Sequence, residues 1–417
     1  MEIKRDRYLK KLIRRKWNGS VKVITGIRRC GKSYLLFKLF RDHLLSEGVD
    51  PDRIIAIALD DKENEDLRDP DVLYSRVIEL TGDRSKKYYV LLDEIQYVKG
   101  FEDVINGFRH RPNLDTYVTG SNSKFLSTDI LTEFRGRGDE VRVYPLSFSE
   151  FRTVFSENDT DVWKRYMTFG GMPELLTKED DEERIAYLRN LFKKVYIKDI
   201  VERKKIKLTN ELGSIINVLC SSVGSLTNPT RLYNTLRSSG HGSISDETVV
   251  NYLEHLEDSF LFERAERYDV KGRKYLDSPY KYYAADVGLR NARLNFRQQE
   301  PTHIMENIIY NELRSRGYSV DVGIVESRVM EDGVSEYKQL EIDFIVNKGD
   351  SRHYIQCAYA MPEEKEREQE LRPFLKVKDS FRKVLVVGDD IRPWTDDNGI
   401  ITVGLKQFLL DENSLDL

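Results

Sequence analysis

The chain has 417 residues, of which 40% are hydrophobic and 33% charged, and its net charge at neutral pH is -4. Such a length exceeds one ordinary domain and predicts two to four compact units with substantial cores. The charge excludes a general attraction to nucleic acid, leaving only local patches for that purpose, and no apolar run approaches the ~18 residues a membrane span needs.

The N-terminal run MEIKRDRYLKKLIRRKWNGS starts basic but never develops the apolar centre of a secretion signal. Ile3, Tyr8, Leu9, Leu12 and Ile13 instead mark the buried side of an amphipathic helix. Cys30, Cys220 and Cys357 lie too far apart for a disulfide framework or a zinc site, which points to a reducing cytoplasm.

Residues 21–25, VKVIT, have the β-branched, apolar character of a strand buried in a parallel sheet. In SYLLFKLFRDHLL, Leu35, Leu36, Leu39, Phe40 and Leu44 fall on one side of a helix. Between them stands G-x-x-x-x-G-K-S. Its glycines let backbone N–H groups face a pyrophosphate, and the helix start adds positive potential. Lys32 is then expected at the β and γ phosphates and Ser33 on Mg²⁺. The expected nucleotide-contacting set is Gly26, Arg28, Arg29, Cys30, Gly31, Lys32, Ser33 and Tyr34.

A second apolar strand, in KKYYVLLDEIQYV, ends in Asp93 and Glu94. An acid at that place can hold the water shell of Mg²⁺, and its neighbour can orient and deprotonate a water attacking the γ phosphate. RIIAIALD and LDTYVTGSN predict further strands, the latter ending in Ser121 and Asn122 near the γ phosphate, and EVRVYPL a fifth. Strands alternating with helix-length segments predict a doubly wound α/β domain. Arg135 and Arg137 precede the last strand, either as solvated loop arginines or as a finger on the nucleotide in cis or from a neighbouring copy.

TGIRRCGKS, LLDEIQ, VTGSNS, GRG, YPLSFSEF and GGMPE, in this order, resemble the AAA+-type P-loop ATPases of bacteria and archaea that carry a restriction-endonuclease-like C-terminal domain. The resemblance continues through YIKDIV, KYYAADVGLRN, ENIIYNEL and EIDFIV. It implies ATP as the nucleotide, Asp93 and Glu94 as the Walker-B pair, Ser121 as the sensor and Arg137 as the candidate finger.

Beyond residue 147 a mainly helical lid is expected over 148–209, with a hinge at FGGMPE. Its end, residues 193–207, carries seven Lys or Arg against two acids, either a solvated face or a nucleic-acid contact. Residues 210–288 read as three helices and a hairpin, the layout of a winged helix, and Ser245 is placed to cap the third helix. That helix, 246–260, has five acids and no Lys or Arg, so it is unsuited to lie against phosphates. The hairpin differs: Arg264, Arg267, Lys271, Arg273 and Lys274 could form a basic wing for DNA, or the unit could serve only packing and oligomer contacts.

In residues 289–417 a helix beginning with Glu306 precedes two strands joined at Asn347–Gly349. A restriction-endonuclease-like core would gather Mg²⁺ with a helix glutamate and two strand acids, helped by a lysine. Glu306 and Asp343 stand at two of these places, but Gln356-Cys357-Ala358 replaces acid-x-lysine, which predicts a degenerate nuclease site of Glu306, Asp343 and Gln356.

The expected fold is thus α/β, with a P-loop NTPase core over 1–147, a helical lid, a winged-helix-like unit and a degenerate restriction-endonuclease-like domain. The expected function is Mg²⁺-dependent ATP hydrolysis that controls DNA binding by the C-terminal modules. An ATP-dependent nuclease, or a nucleotide-gated protein-interaction switch of a defence or toxin system, would use the same motifs. A finger arginine from a neighbour would make the working form a homo-oligomer.

Overall fold

Val21–Thr25 (β1) is buried along its whole length, paired in parallel at both edges and covered on both faces. It lies at the centre-right of a five-stranded sheet with Ile54–Ala58 (β2), Tyr88–Asp93 (β3), Leu114–Gly120 (β4) and Gly138–Arg142 (β5), in the order β2-β3-β4-β1-β5. All four pairings are parallel. The order inserts β4 between β1 and β3, so the ends of these three strands meet around one place. The computed structural model describes the chain except residues 1–2, 122–137, 239–243, 299, 332–333, 362 and 417.

Helices cover both faces of this sheet. On one, Leu73 and Val77 of helix Pro70–Leu80 and Val104, Ile105 and Phe108 of helix Phe101–Arg109 pack on Val21, Val23, Val90, Leu92 and Val118. Asp69 starts the first of these helices by accepting hydrogen bonds from the backbone N–H groups of Asp71 and Val72, ahead of Pro70 at its first position. On the other face Phe40 lies against Tyr117, with ring centroids 4.6 Å apart. Helix Asp6–Arg14, expected from the N-terminal periodicity, buries Tyr8 and Leu12. One buried ion pair, Lys22 with Asp115, crosses between β1 and β4, and Asp115 also accepts from Tyr117 Oη at 2.8 Å.

The chain divides into two compact units, residues 1–145 with 258–260 and residues 146–257 with 261–417. The stretches 148–209, 210–288 and 289–417, read from the sequence as successive pieces, share the second unit. Its helices begin with Phe148–Arg152, where Ser147 and Glu150 form a capping box, and Asp159–Phe169. The expected hinge at Gly170-Gly171 is a close crossing instead. Gly170 has a φ of 75°, and a side chain on Gly171 would stand 2.1 Å from the Leu146 carbonyl oxygen. Asp286 accepts the Gly171 N–H at 2.6 Å and the Leu289 N–H at 3.0 Å, fastening the crossing to helix Val287–Arg293. Burial pushes the Asp286 carboxyl up to about 6.

Helices Thr209–Ser221, Pro229–Ser238 and Asp246–Asp258 follow, the last capped by the Ser245 hydroxyl on the Thr248 N–H at 3.2 Å. The hairpin after them, Phe262–Asp269 (β7) and Lys274–Ala284 (β8), is not a free-standing wing. With Leu226–Thr227 (β6) on its far side, it forms one flank of a nine-stranded sheet in which β7 pairs in parallel with Ser319–Glu331 (β9). Val334–Lys348 (β10), Ser351–Ala358 (β11), Arg382–Val387 (β12), Ile400–Gly404 (β14) and Trp394–Thr395 (β13) continue the sheet beyond β9. Helices Pro301–Ser315 and Glu364–Leu375 flank it, Leu371 and Phe374 packing on Ile345, Tyr354 and Leu385. Among the described residues no helix is long and apolar enough to cross a membrane.

Candidate nucleotide site

At the end of β1 the chain turns through Gly26, with a φ of 141°, and Gly31, with a φ of 99°. A Cβ on Gly26 would lie 2.1 Å from the Val143 carbonyl oxygen, so only glycine fits. The loop is clamped from behind. Arg5, buried at the start of the N-terminal helix, donates to the carbonyls of Cys30 at 3.0 Å and Tyr144 at 2.6 Å. Cys30 turns its thiol to the Val143 carbonyl at 3.3 Å, and its N–H bonds to Ile27 O at 3.3 Å. Its place in the expected contact set is therefore one of packing; burial also pushes its thiol pKa up.

Lys32 opens the helix after the loop and folds its ammonium back onto the carbonyls of Gly26 at 3.1 Å and Ile27 at 3.3 Å. Ser33 is exposed, and its side chain lies near Asp93 at the tip of β3, close enough to act on the Asp93 carboxyl. Burial raises the Asp93 pKa, while Ser33 and Thr119 act in the opposite sense. Arg28 and Tyr34 are half-buried and Arg29 is exposed with a φ of 65°.

The structure brings Ser33, Asp93, Glu94 and Ser121 together, and adds two residues that the sequence reading did not single out. The Thr119 hydroxyl accepts from the Glu94 N–H at 2.9 Å while donating to Asp93, so one side chain on β4 orders both acids. Glu94 itself takes a left-handed conformation, with a φ of 53°. Its carboxylate accepts from Gln96 Nε2 and, at 3.3 Å, from the Ser121 hydroxyl. The signal for Thr119 was its position two residues before Ser121, the alternate residue on the same strand face. Gln96 carried no signal beyond its nearness to the acids. Asn122, Arg135 and Arg137 lie outside the described residues.

A second cluster lies in the other unit, where Glu306, Asp343 and Gln356 also converge. Its helix starts at Pro301, earlier than expected, which sets Glu306 in the helix interior. Between the carboxylates stands Lys281 of β8, its side chain only 4% exposed. Its ammonium is 2.9 Å from Glu306, 2.8 Å from Glu341 and 4.0 Å from Asp343. Burial alone would lower the Lys281 pKa, but these carboxylates raise it. Tyr283 donates to Glu306 at 2.7 Å, and the Cys357 N–H donates to Asp343 at 2.8 Å. Gln356 donates to Glu370 at 3.1 Å and accepts from the Asp343 N–H at 3.3 Å. The cation among these carboxylates thus comes from β8 and not from β11, the strand on which the resemblance would place a lysine.

The five cations of the expected wing are not one surface. Arg267 is buried and donates to Gln339 at 2.7 Å, and Arg264 lies beside Glu257 and Glu266. Lys271, Arg273 and Lys274 remain exposed at the turn.

A parallel sheet with a phosphate-type loop at one strand end and paired acids at the next but one defines an AAA-type P-loop NTPase-like core. A family model described as an AAA domain matches residues 18–152, and one described as a domain of unknown function matches 160–300. An uncharacterized protein of Haemophilus influenzae is 34% identical over 413 residues, covering 98% of both chains, and this chain belongs to its family. An uncharacterized protein of Methanocaldococcus jannaschii is 30% identical over 381 residues, covering 87% of this chain and 79% of its own. Among solved structures, the ORC1 protein of Aeropyrum pernix in complex with DNA covers 71% of this chain and 93% of its own. Its 11% identity and TM-score of 0.30 are too low to bear on function.

Proposed function

We propose that this protein binds ATP with Mg²⁺ and hydrolyses it, and that the nucleotide state sets how the second unit holds DNA. The observation that carries the ATPase reading is the convergence of Asp93, Glu94 and Ser121, ordered by Thr119, at the strand ends beside Lys32 and Ser33. A hydroxyl beside a carboxylate is a donor set suited to a hard divalent cation. Ser33 and Asp93 would hold Mg²⁺, Asp93 through a water, and the ion would supply charge neutralisation at the phosphates. Lys32 needs only to release two carbonyls to reach bound phosphate. Glu94, once freed from Gln96 and Ser121, orients and deprotonates the attacking water.

Glu94→Gln is expected to bind ATP while turnover falls about 100-fold or more. Unchanged turnover in that variant refutes the assignment of the base. Lys32→Ala is expected to lose nucleotide affinity. For the DNA half, turnover is measured with duplex, branched and single-stranded DNA. Stimulation that disappears in Lys32→Ala supports coupling, and no affinity for any nucleic acid at low salt overturns it in favour of a protein-interaction switch. Cleavage is not part of the proposal, since the Lys281 ammonium already stands among the carboxylates of the nuclease-like cluster.

A further inference from the structure

Three turns of the nine-stranded sheet and its flanking helix meet at a cleft of about 930 Å³. They are the β7–β8 turn, the β10–β11 turn at Gly349, and the connection that leaves helix Glu364–Leu375. Val270 and Val377 are buried in the core beneath and hold two of the three segments in place. The lining is strongly positive in a protein that is negative overall: Lys271, Arg273, Arg352, Lys376 and Lys378 face only two acids, Asp350 and Asp379. One of those acids is already engaged, Asp379 accepting from Tyr354 Oη at 2.6 Å and from the Phe381 N–H at 3.2 Å.

The cations are not neutralised from within. Arg273, Lys376 and Lys378 are exposed and make no ion pair among the described residues. The Lys271 ammonium donates to a backbone carbonyl, that of Glu326, at 2.5 Å, while its backbone N–H bonds to Asp269 Oδ1 at 3.1 Å. Arg352 is held in place by Asn347 Oδ1 at 2.7 Å, its guanidinium 5.6 Å from the Tyr268 ring centroid and 5.2 Å from that of Phe381. Phe381 itself is 37% exposed. Exposed cations, one fixed guanidinium and a part-exposed aromatic ring form the combination by which single strands are held, the charges tracking phosphates and the ring stacking on a base. An acidic peptide would use the charges but leave the aromatic ring without a role.

We propose that this cleft binds single-stranded nucleic acid by its phosphodiester backbone, with Phe381 stacking on a base. The inference rests on the reading that the second unit holds nucleic acid, and moves the contact from the hairpin alone to the meeting of three turns.

The test is fluorescence anisotropy of a labelled oligothymidine on the full chain without nucleotide, over a salt series. Wild type is expected to bind with log K falling against log salt at a slope of about -2 to -3, as for three or four phosphates. The triple variant Arg273→Glu, Lys376→Glu, Lys378→Glu should lose roughly tenfold or more and show a shallower slope. Its thermal melting should match wild type because all three side chains are exposed. Phe381→Ala should weaken binding on the order of tenfold with the slope kept.

Undiminished binding by the triple variant overturns the cleft as the site. Equal affinity for a duplex of the same length overturns the preference for single strands, and displacement by polyglutamate at equal charge concentration overturns nucleic acid as the ligand. Lys32→Ala separates this inference from the ATPase reading: it should keep oligonucleotide binding while losing nucleotide. Loss of binding by wild type and Lys32→Ala alike refutes the cleft and the DNA half together, leaving ATP turnover to be judged alone.

Discussion

Lys281→Met tests how the second unit tolerates three carboxylates around one buried ammonium. Methionine keeps most of the stem's volume and removes the charge, so packing changes little. In the native protein the ammonium lies 2.9 Å from Glu306 and 2.8 Å from Glu341, with Asp343 at 4.0 Å. At an effective dielectric of ~20 each near contact is worth about 6 kcal/mol gross and the far one about 4. Most of that is offset by taking the ammonium out of water, so the gross figures are not the expected effect. What the variant exposes is the set of carboxylates left behind, and removing one partner of a buried pair costs about 3–5 kcal/mol.

In a unit of this size such a loss lowers Tm on the order of 10 °C, measurable by circular dichroism or scanning calorimetry. The pH dependence adds a second signature. The Asp343 pKa is raised by burial and by Glu306, with Lys281 acting to lower it, so the variant raises it further. A carboxyl whose folded pKa exceeds its unfolded value leaves the native state with more bound protons across that interval, and stability therefore rises as pH falls through it. Wild type takes up the same proton below about pH 8, so the deficit of Lys281→Met should narrow as pH falls toward about 8 and stay level below it. Adding Glu306→Gln and Glu341→Gln should return much of the loss, because Asp343, whose pKa burial raises, is then the one carboxyl left of the three. A Tm within about 2 °C of wild type at pH 8 would refute the account, since it would mean that water already solvates these carboxylates.

Gly26→Ala should abolish binding of a fluorescent ATP analogue, because its Cβ would stand 2.1 Å from Val143 O; retained affinity would show that the loop reshapes freely. Thr119→Val removes the hydroxyl that serves both acids, and should slow ATP turnover roughly tenfold or more at a stability cost of about 1–3 kcal/mol in urea unfolding. Asp286, with its carboxyl pushed up to about 6, should make wild type lose stability as pH rises from about 4 through about 6, by about 3 kcal/mol at most. Asp286→Asn lacks that titration, so urea midpoints of the two proteins compared across this interval should diverge in slope; parallel profiles would sink the assignment.

The candidate nucleotide site was legible as a cluster because its parts are local. A strand, two glycines, Lys32 and Ser33 sit within residues 21–33, and Asp93 and Glu94 end a strand whose burial follows from its composition. Their helpers were not legible, since Thr119 and Gln96 are ordinary polar residues until β4 is inserted between β1 and β3. Arg5 is further removed still, clamping carbonyls 25 and 139 residues away in the chain. Lys281 is hidden for a different reason. The resemblance places a lysine on the strand that carries Gln356, whereas the cation comes from β8, and its trace in sequence is a charge inside the aromatic run YKYYAAD. A lysine within such a run demands a buried counter-ion, a rule that would have paired it with the acids of EIDF.

The hairpin shows why local charge was a poor guide in the second unit. As a free wing, β7 would have presented an unpaired edge, which invites association with other chains. Pairing β7 with β9 removes that edge and buries Arg267 against Gln339, so the five neighbouring cations are divided between the sheet and its turn. The same pairing continues through the Val270 N–H to Ile324 O at 3.0 Å, which anchors the β7–β8 turn over the end of the sheet. There it lies beside the β10–β11 turn, and Lys271 and Arg273 meet Arg352, from a stretch some 80 residues later, around one cleft. The register that dissolves the wing is therefore the one that assembles the cleft, and charge reversal at Lys376 and Lys378, outside the hairpin altogether, distinguishes the two.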